Sequence, residues 1–161
     1  YKNMPLIEPV ETKENLRIEE LVIVVDTSYS TSGELVKKFL RETFTILSET
    51  DSFFRKRKIH IIQCDELVHS DITVTGDTDI DILINNFELA GGGNTDFRPA
   101  FEYVNNLIDT GEIKKLQGLL YFTDGKGKYP KKKMPYNTAF VFIDKLSETA
   151  VPAWAMKVSL E

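Results

Sequence analysis

The chain carries a single cysteine, Cys64, among 161 residues. An internal disulfide is therefore excluded, and a lone thiol fits a reducing, cytoplasmic setting. Long apolar runs are missing as well. The longest aliphatic stretch, Leu21 to Val25, is far short of the ~20 residues that cross a bilayer. Positive charge is not in excess: 20 basic against 25 acidic residues leave −5, which argues against general binding to nucleic acid or to an acidic membrane. There is no internal repeat, no low-complexity tract and no H-E-x-x-H pair of the zinc peptidases. What is present, 42% hydrophobic and 28% charged residues, is the composition of one globular domain. A domain of this size buries roughly 70% of the surface its unfolded chain exposes, so a bound metal would serve function rather than hold the core together.

The chain starts at Tyr1 rather than Met, as expected of a fragment or a processed chain. Residues 1–19 mix Pro5 and Pro9 with charges and show no sustained period, which reads as a linker or lead-in from an upstream domain. Residues 20–161 read as the domain. Leu21 to Val25 is continuous and β-branched, as in a central strand covered on both faces, and it stops at Asp26. A polar turn follows, then a capping box, Thr31-Ser-Gly-Glu34, ahead of apolar residues at helical spacing from Leu35 to Leu47. Lys58 to Cys64 predicts a second strand and Leu67 to Thr75 a third, more polar one at the sheet edge. Residues 79–87 predict a short helix, Gly91-Gly-Gly93 a loop, and Arg98 to Ile108 another helix. Leu119 to Thr123, Thr138 to Ile143 and Trp154 to Leu160 complete the strands. This alternation predicts an α/β fold, an open doubly wound, mostly parallel sheet with helices on both faces. Ligands of such sheets bind beyond the carboxyl ends of the strands, where Asp26 and Asp124 fall.

Asp26-x-Ser28-x-Ser30 leaves one buried strand, Thr95 lies in the glycine-rich loop, and Asp124 ends another buried strand. Two carboxylates and three hydroxyls are hard oxygen ligands, suited to Mg²⁺ or Mn²⁺ and poorly suited to Zn²⁺. Positions 26, 28 and 30 alternate, so an extended turn would point all three side chains the same way. The same residue types are also ordinary turn and cap formers, and spacing leaves both readings open.

Three segments resemble the metal-contacting loops of von Willebrand factor A (VWA) domains: Asp26-Thr-Ser-Tyr-Ser30, the Gly-Gly-Gly-Asn-Thr-Asp96 loop and Phe122-Thr-Asp-Gly125. With Ile62-Gln-Cys-Asp65, Gly93 to Phe101 and Pro152-x-Trp154, the chain is similar over about residues 20 to 160 to a bacterial VWA-like branch. That branch forms the C-terminal part of predicted metal-dependent peptidases. The resemblance implies a metal-ion-dependent adhesion site (MIDAS) built from Asp26, Ser28, Ser30, Thr95 and Asp124. It implies that Ser28 and Ser30 bind the ion directly, and Thr95 and the aspartates directly or through water. One position stays open for a partner's carboxylate, since few protein charges neutralise the ion. The sequence departs from the pattern at Tyr29 and Asn94, where glycine is usual.

Around this site, Tyr29, Asp96, Arg98, Lys126 and Lys128 are candidate partner-binding residues. Asp96 reads as an outer-shell group or as a cap for the helix opening at Arg98-Pro99, and Arg98 as a carboxylate binder or as the partner of Asp96. Cys64, Asp65, Glu66 and His69 are zinc-ligand types, but one Cys and one His in reach predict a core thiol and solvated acids instead. His60 reads as a satisfied or partly exposed strand histidine and Trp154 as a packing residue. Residues 126–135 hold five of the 20 basic residues, leaving −10 elsewhere, which suits either steering of an acidic partner or a solvated loop.

The function expected is a noncatalytic protein-interaction module using Mg²⁺ or Mn²⁺. Resemblance implies a peptidase domain upstream in cis and an AAA+ ATPase of the MoxR or chelatase type as partner; charge and the short apolar runs predict no nucleic acid and no membrane. A metal-free scaffold packing on its upstream domain is the competing reading. A Mg²⁺-dependent phosphatase resembling haloacid dehalogenases is weaker, because position 28 is Ser where their Asp-x-Asp needs an acid.

Overall fold

β1 (Glu19–Asp26) is central because both of its faces are apolar: Val22 and Val24 enter one core, Ile23 and Val25 the other. The computed structural model describes residues 19–27, 33–50, 57–76, 78–142 and 151–159. Residues 1–18, Ser28, Tyr29, Ser30, the first two capping-box residues, Ile143 and Leu160 lie outside them. Around β1 stand β2 (Arg57–Cys64), β3 (Val68–Val74), β4 (Leu116–Thr123), β5 (Asn137–Phe142) and β6 (Met156–Ser159), in the order β3-β2-β1-β4-β5-β6. All neighbours are parallel except β2 and β3. The polar strand expected at the edge is indeed β3, which returns antiparallel from β2.

The helices divide between the two faces. α1 (Gly33–Thr50) turns Val36, Phe39 and Leu40 onto the face of Ile23, Val25 and Phe122. The Phe39 and Phe122 rings stack at 4.5 Å. α2 (Ile80–Asn85), capped by Asp79 accepting from the Ile82 amide at 3.1 Å, adds Ile84 to the same core. On the other face α3 (Arg98–Asp109) buries Ala100, Phe101 and Val104 against Tyr121 and Phe140. The result is the three-layer α/β sandwich expected. No helix among the described residues is long and apolar enough to cross a membrane.

Several boundaries differ from expectation, β4 starting at Leu116 rather than Leu119, and two of the differences are informative. β1 begins at Glu19, and Glu20 is buried, its carboxylate accepting the Lys114 amide at 3.1 Å; charge alone suggested a strand starting at Leu21, two residues later. β6 begins at Met156, so Trp154 stands before the strand. There its indole N–H donates to the Pro130 carbonyl at 3.3 Å and its ring meets Phe101 edge-on, the packing role expected of it.

The topology fixes where a ligand would sit. From β1 the chain moves outward through β2 and β3, then returns to β4 on the opposite side of β1. The strand order reverses between β1 and β4, and their carboxyl ends carry Asp26 and Thr123-Asp124.

Candidate functional site at the carboxyl ends of the strands

Asp26 is fully buried at the end of β1. The hydroxyl of Thr123, at the end of β4, donates to its Oδ2 at 2.6 Å, and Thr123 in turn accepts the Gly125 amide at 3.1 Å. The next residue, Asp124, is only partly buried and accepts the Lys126 amide at 3.0 Å, a tight turn that starts the basic loop. Two carboxylates therefore leave adjacent strands in different surroundings, one sealed in and one near solvent.

The glycine-rich loop is held against these ends by β2. Gln63 and Asp65 alternate with Cys64, so both face the loop while the thiol enters the core. The buried Gln63 amide accepts from the Ala90 N–H at 2.7 Å and donates to the Glu88 carbonyl at 3.1 Å. Asp65, also buried, accepts from the Gly93 amide at 3.0 Å, the Leu67 amide at 2.9 Å and His69 Nε2 at 2.8 Å. Burial alone would raise its pKa. The Leu67, His69 and Gly93 donors outweigh that and hold the Asp65 carboxyl below the usual range.

Close approach explains the glycines. At Gly91, with φ +130°, an added Cβ would lie 2.7 Å from Thr27 Oγ1 and 3.0 Å from Asp65 Oδ2. The neighbouring Gly92 amide donates to the Thr27 carbonyl at 2.8 Å. The Thr27 hydroxyl itself is buried with no hydrogen-bond partner among the described residues.

Thr95 is half-buried, and its methyl group lies against Gly127 of the loop that follows Asp124. The Phe97 amide donates to the Lys128 carbonyl at 3.1 Å. The segments bearing Asp26, Thr95 and Asp124 thus meet at one end of the sheet, while Ser28, Tyr29 and Ser30 lie outside the described residues. Asn94 is exposed on the same loop. Asp96 joins Arg98: its carboxylate accepts the Arg98 amide at 3.0 Å and a two-pronged guanidinium contact at 2.9 and 2.8 Å. Arg98, with desolvation opposing, holds the Asp96 carboxyl down. Lys126 and Lys128 are exposed.

The oxygen donors available here, the carboxylates of Asp26 and Asp124 and the hydroxyl of Thr95, match a hard divalent cation in chemistry. A zinc site is different. No group of three or more His, Cys, Asp or Glu side chains able to hold a metal occurs among the described residues. Cys64 is a core thiol, pushed up to about 12 by burial, with the Asp65 and Asp26 charges adding to the shift. Glu66 is exposed as expected, but Asp65 is no solvated acid, because three donors draw it inside. Sequence reasoning missed Thr123, Gln63 and Asp65 as organisers of this end. The available signal was their position as polar residues closing apolar strands.

A family profile described as VWA-like domain (DUF2201) matches residues 21–161. The chain belongs to this VWA-like family. Its fold is also similar to the crystal structure of the SpRpn10 VWA domain, with a TM-score of 0.56 and 12% sequence identity over 89% of this chain and 88% of that one. No curated protein sequence matches the chain.

Proposed function

We propose that this VWA-like domain is a noncatalytic protein-interaction module whose docking face is the carboxyl end of its sheet. The observation that carries the reading is the meeting at one end of the sheet of Thr27 after β1, the loop before α3 and the loop after β4, with Asp26 buried at the end of β1. Asp26, Ser28, Ser30, Thr95 and Asp124 would hold Mg²⁺ or Mn²⁺, and the ion when bound supplies a Lewis-acidic position for a partner's Asp or Glu. Tyr29, Asp96, Arg98, Lys126 and Lys128 border that position in sequence. The remaining features of the proposal are a cytoplasmic setting, a metallopeptidase domain upstream in cis and an AAA+ ATPase partner of the MoxR or chelatase type. The peptidase domain and the ATPase rest on family resemblance, the cytoplasmic setting on the lone thiol.

Calorimetric titration with Mg²⁺ and Mn²⁺ tests the ion. Saturable binding to the wild type that disappears in Asp26→Ala is the expected result; no binding, or equal binding to both, removes the ion from the proposal. The metal-free scaffold is supported by the Thr123 hydroxyl on Asp26 and the Gln63 and Asp65 contacts, which order this end through protein groups alone. It predicts undiminished association with the upstream domain in chelator.

A further inference from the structure

We propose that residues 126–133 form a preordered docking surface for an acidic polypeptide segment. The inference rests on the domain being an interaction module, but not on the ion. The loop has no helix or strand, yet it is fixed at several points. The Lys128 carbonyl accepts the Phe97 amide, the Tyr129 hydroxyl donates to the Gly125 carbonyl at 3.2 Å, and the Pro130 carbonyl accepts Trp154. The Tyr129 ring packs 4.6 Å from Phe97 and 4.9 Å from Phe140. Beyond the lysines Met134 and Tyr136 are buried, and an open groove lined by Lys133, Met134, Pro135, Tyr136 and Asn137 continues the surface. A surface ordered in advance loses little entropy on binding.

The ammonium groups of this loop are open to solvent, that of Lys128 also lending its charge to Asp96. Lys126, Lys128, Lys131, Lys132 and Lys133 are all exposed, and none forms an ion pair or a side-chain hydrogen bond among the described residues. Elsewhere among the described residues Lys37 and Arg41 reach Asn85, Lys58 reaches the Glu112 carbonyl and Arg98 grips Asp96; Lys38, Lys114, Lys115 and Lys157 make no such side-chain contact either, but only residues 126–133 gather five such cations in one stretch. The rest of the chain is acidic, with 25 acids against the remaining 15 bases. Five unpaired cations on a fixed loop of such a chain complement an acidic ligand. Nucleic acid fits less well, because Tyr129 and Tyr136 turn inward and leave no ring of the loop free for a base to stack on. An anionic membrane would meet the acidic remainder of the molecule.

Fluorescence anisotropy with a fluorescein-labelled peptide of alternating Glu and Ser, measured in EDTA, tests the surface. The wild type should bind, and Lys131→Ser/Lys132→Ser/Lys133→Ser should bind roughly tenfold more weakly with an unchanged circular dichroism spectrum. Going from about 0.1 M to about 1 M salt should abolish binding as the Debye length falls from about 10 Å to about 3 Å. A second variant, Lys126→Ser/Lys128→Ser, should weaken binding in the same direction. No peptide binding, equal affinity of the wild type and the triple variant, or tighter binding of labelled oligothymidylate or phosphatidylserine vesicles overturns the proposal. Asp26→Ala run in parallel separates the two readings: peptide binding should survive there even if the Mg²⁺ titration fails.

Discussion

Two polar clusters are built into this sheet, and they work in opposite ways. At the carboxyl ends, Gln63 of β2 and Asp65 just after it reach out to backbone amides and carbonyls of a loop. At the β3 edge, polar side chains of regular elements meet one another. His60 of β2 donates through Nδ1 to Asp71 Oδ1 at 2.9 Å, since an ionised carboxylate only accepts, and Tyr103 of α3 donates to Asp71 Oδ2 at 2.6 Å. The first cluster substitutes for missing secondary structure by satisfying loop amides that no ladder serves. The second joins a helix to a strand that packing already holds. The difference teaches where polar burial matters most: apart from the backbone hydrogen bonds of Gly92 and Asp96, the loop at residues 90–96 has no buried side chain to order it, whereas α3 is also secured by Phe101 and Val104.

If this is right, Asp65→Ala should be the costliest single polar substitution on either cluster. It removes a charged acceptor from two backbone amides and from His69 in a buried setting, a loss of about 3 kcal/mol. Urea denaturation should show the midpoint falling by that equivalent. Hydrogen exchange should show the Gly93 amide losing protection ahead of α3. Uniform loss of protection across the domain would mean that Asp65 holds the whole core rather than the loop, and the contrast would fail.

Acid sharpens the contrast next. Asp65 and Asp71 are both held below the ordinary carboxylate range: burial opposes this in each, and it is overcome by Leu67, His69 and Gly93 at Asp65 and by His60 and Tyr103 at Asp71. A carboxyl with a depressed folded pKa binds fewer protons folded than unfolded. Its stabilisation is therefore complete above the unfolded value near ~3.9 and is lost as pH falls through the folded value. The urea midpoint should fall below about pH 4, and Asp71→Asn should flatten part of that fall. An unchanged pH profile in the variant would mean that Asp71 titrates alike folded and unfolded.

The sheet was largely legible in the sequence, the site only in part. A strand such as Leu21 to Val25 announces itself as an unbroken β-branched run because both of its faces are buried, and a helix such as α3 by the period that one buried face imposes. The glycines at 91–93 announced a loop but not its neighbours. Their necessity comes from Thr27 and Asp65, which are distant in sequence. Asp65 looked like a solvated acid because an acidic residue beside Glu66 carries no mark of the three donors that fold around it. Thr123 showed itself only as a polar residue closing an apolar strand, since its main contact is a hydroxyl donation to Asp26, 97 positions away.

The smallest effect expected is that of Tyr103→Phe, and it decides the comparison most directly. The ring stays on α3, and only the hydroxyl that donates to Asp71 Oδ2 is lost. That hydroxyl is strongly committed, its pKa pushed up to about 12 by burial and by the Asp71 acceptor. Asp71 is 16% exposed at its side chain, so water can replace part of the donation and His60 keeps the other oxygen. The cost should be about 1 kcal/mol, a fall in Tm of roughly 2–4 °C. The Asp71 carboxyl should titrate higher by NMR, as follows from losing one of its two side-chain donors. A cost equal to that of Asp65→Ala would mean that a helix-to-strand contact backed by apolar packing is as dependent on its hydrogen bond as an unsupported loop, and the proposed division between the clusters would not stand.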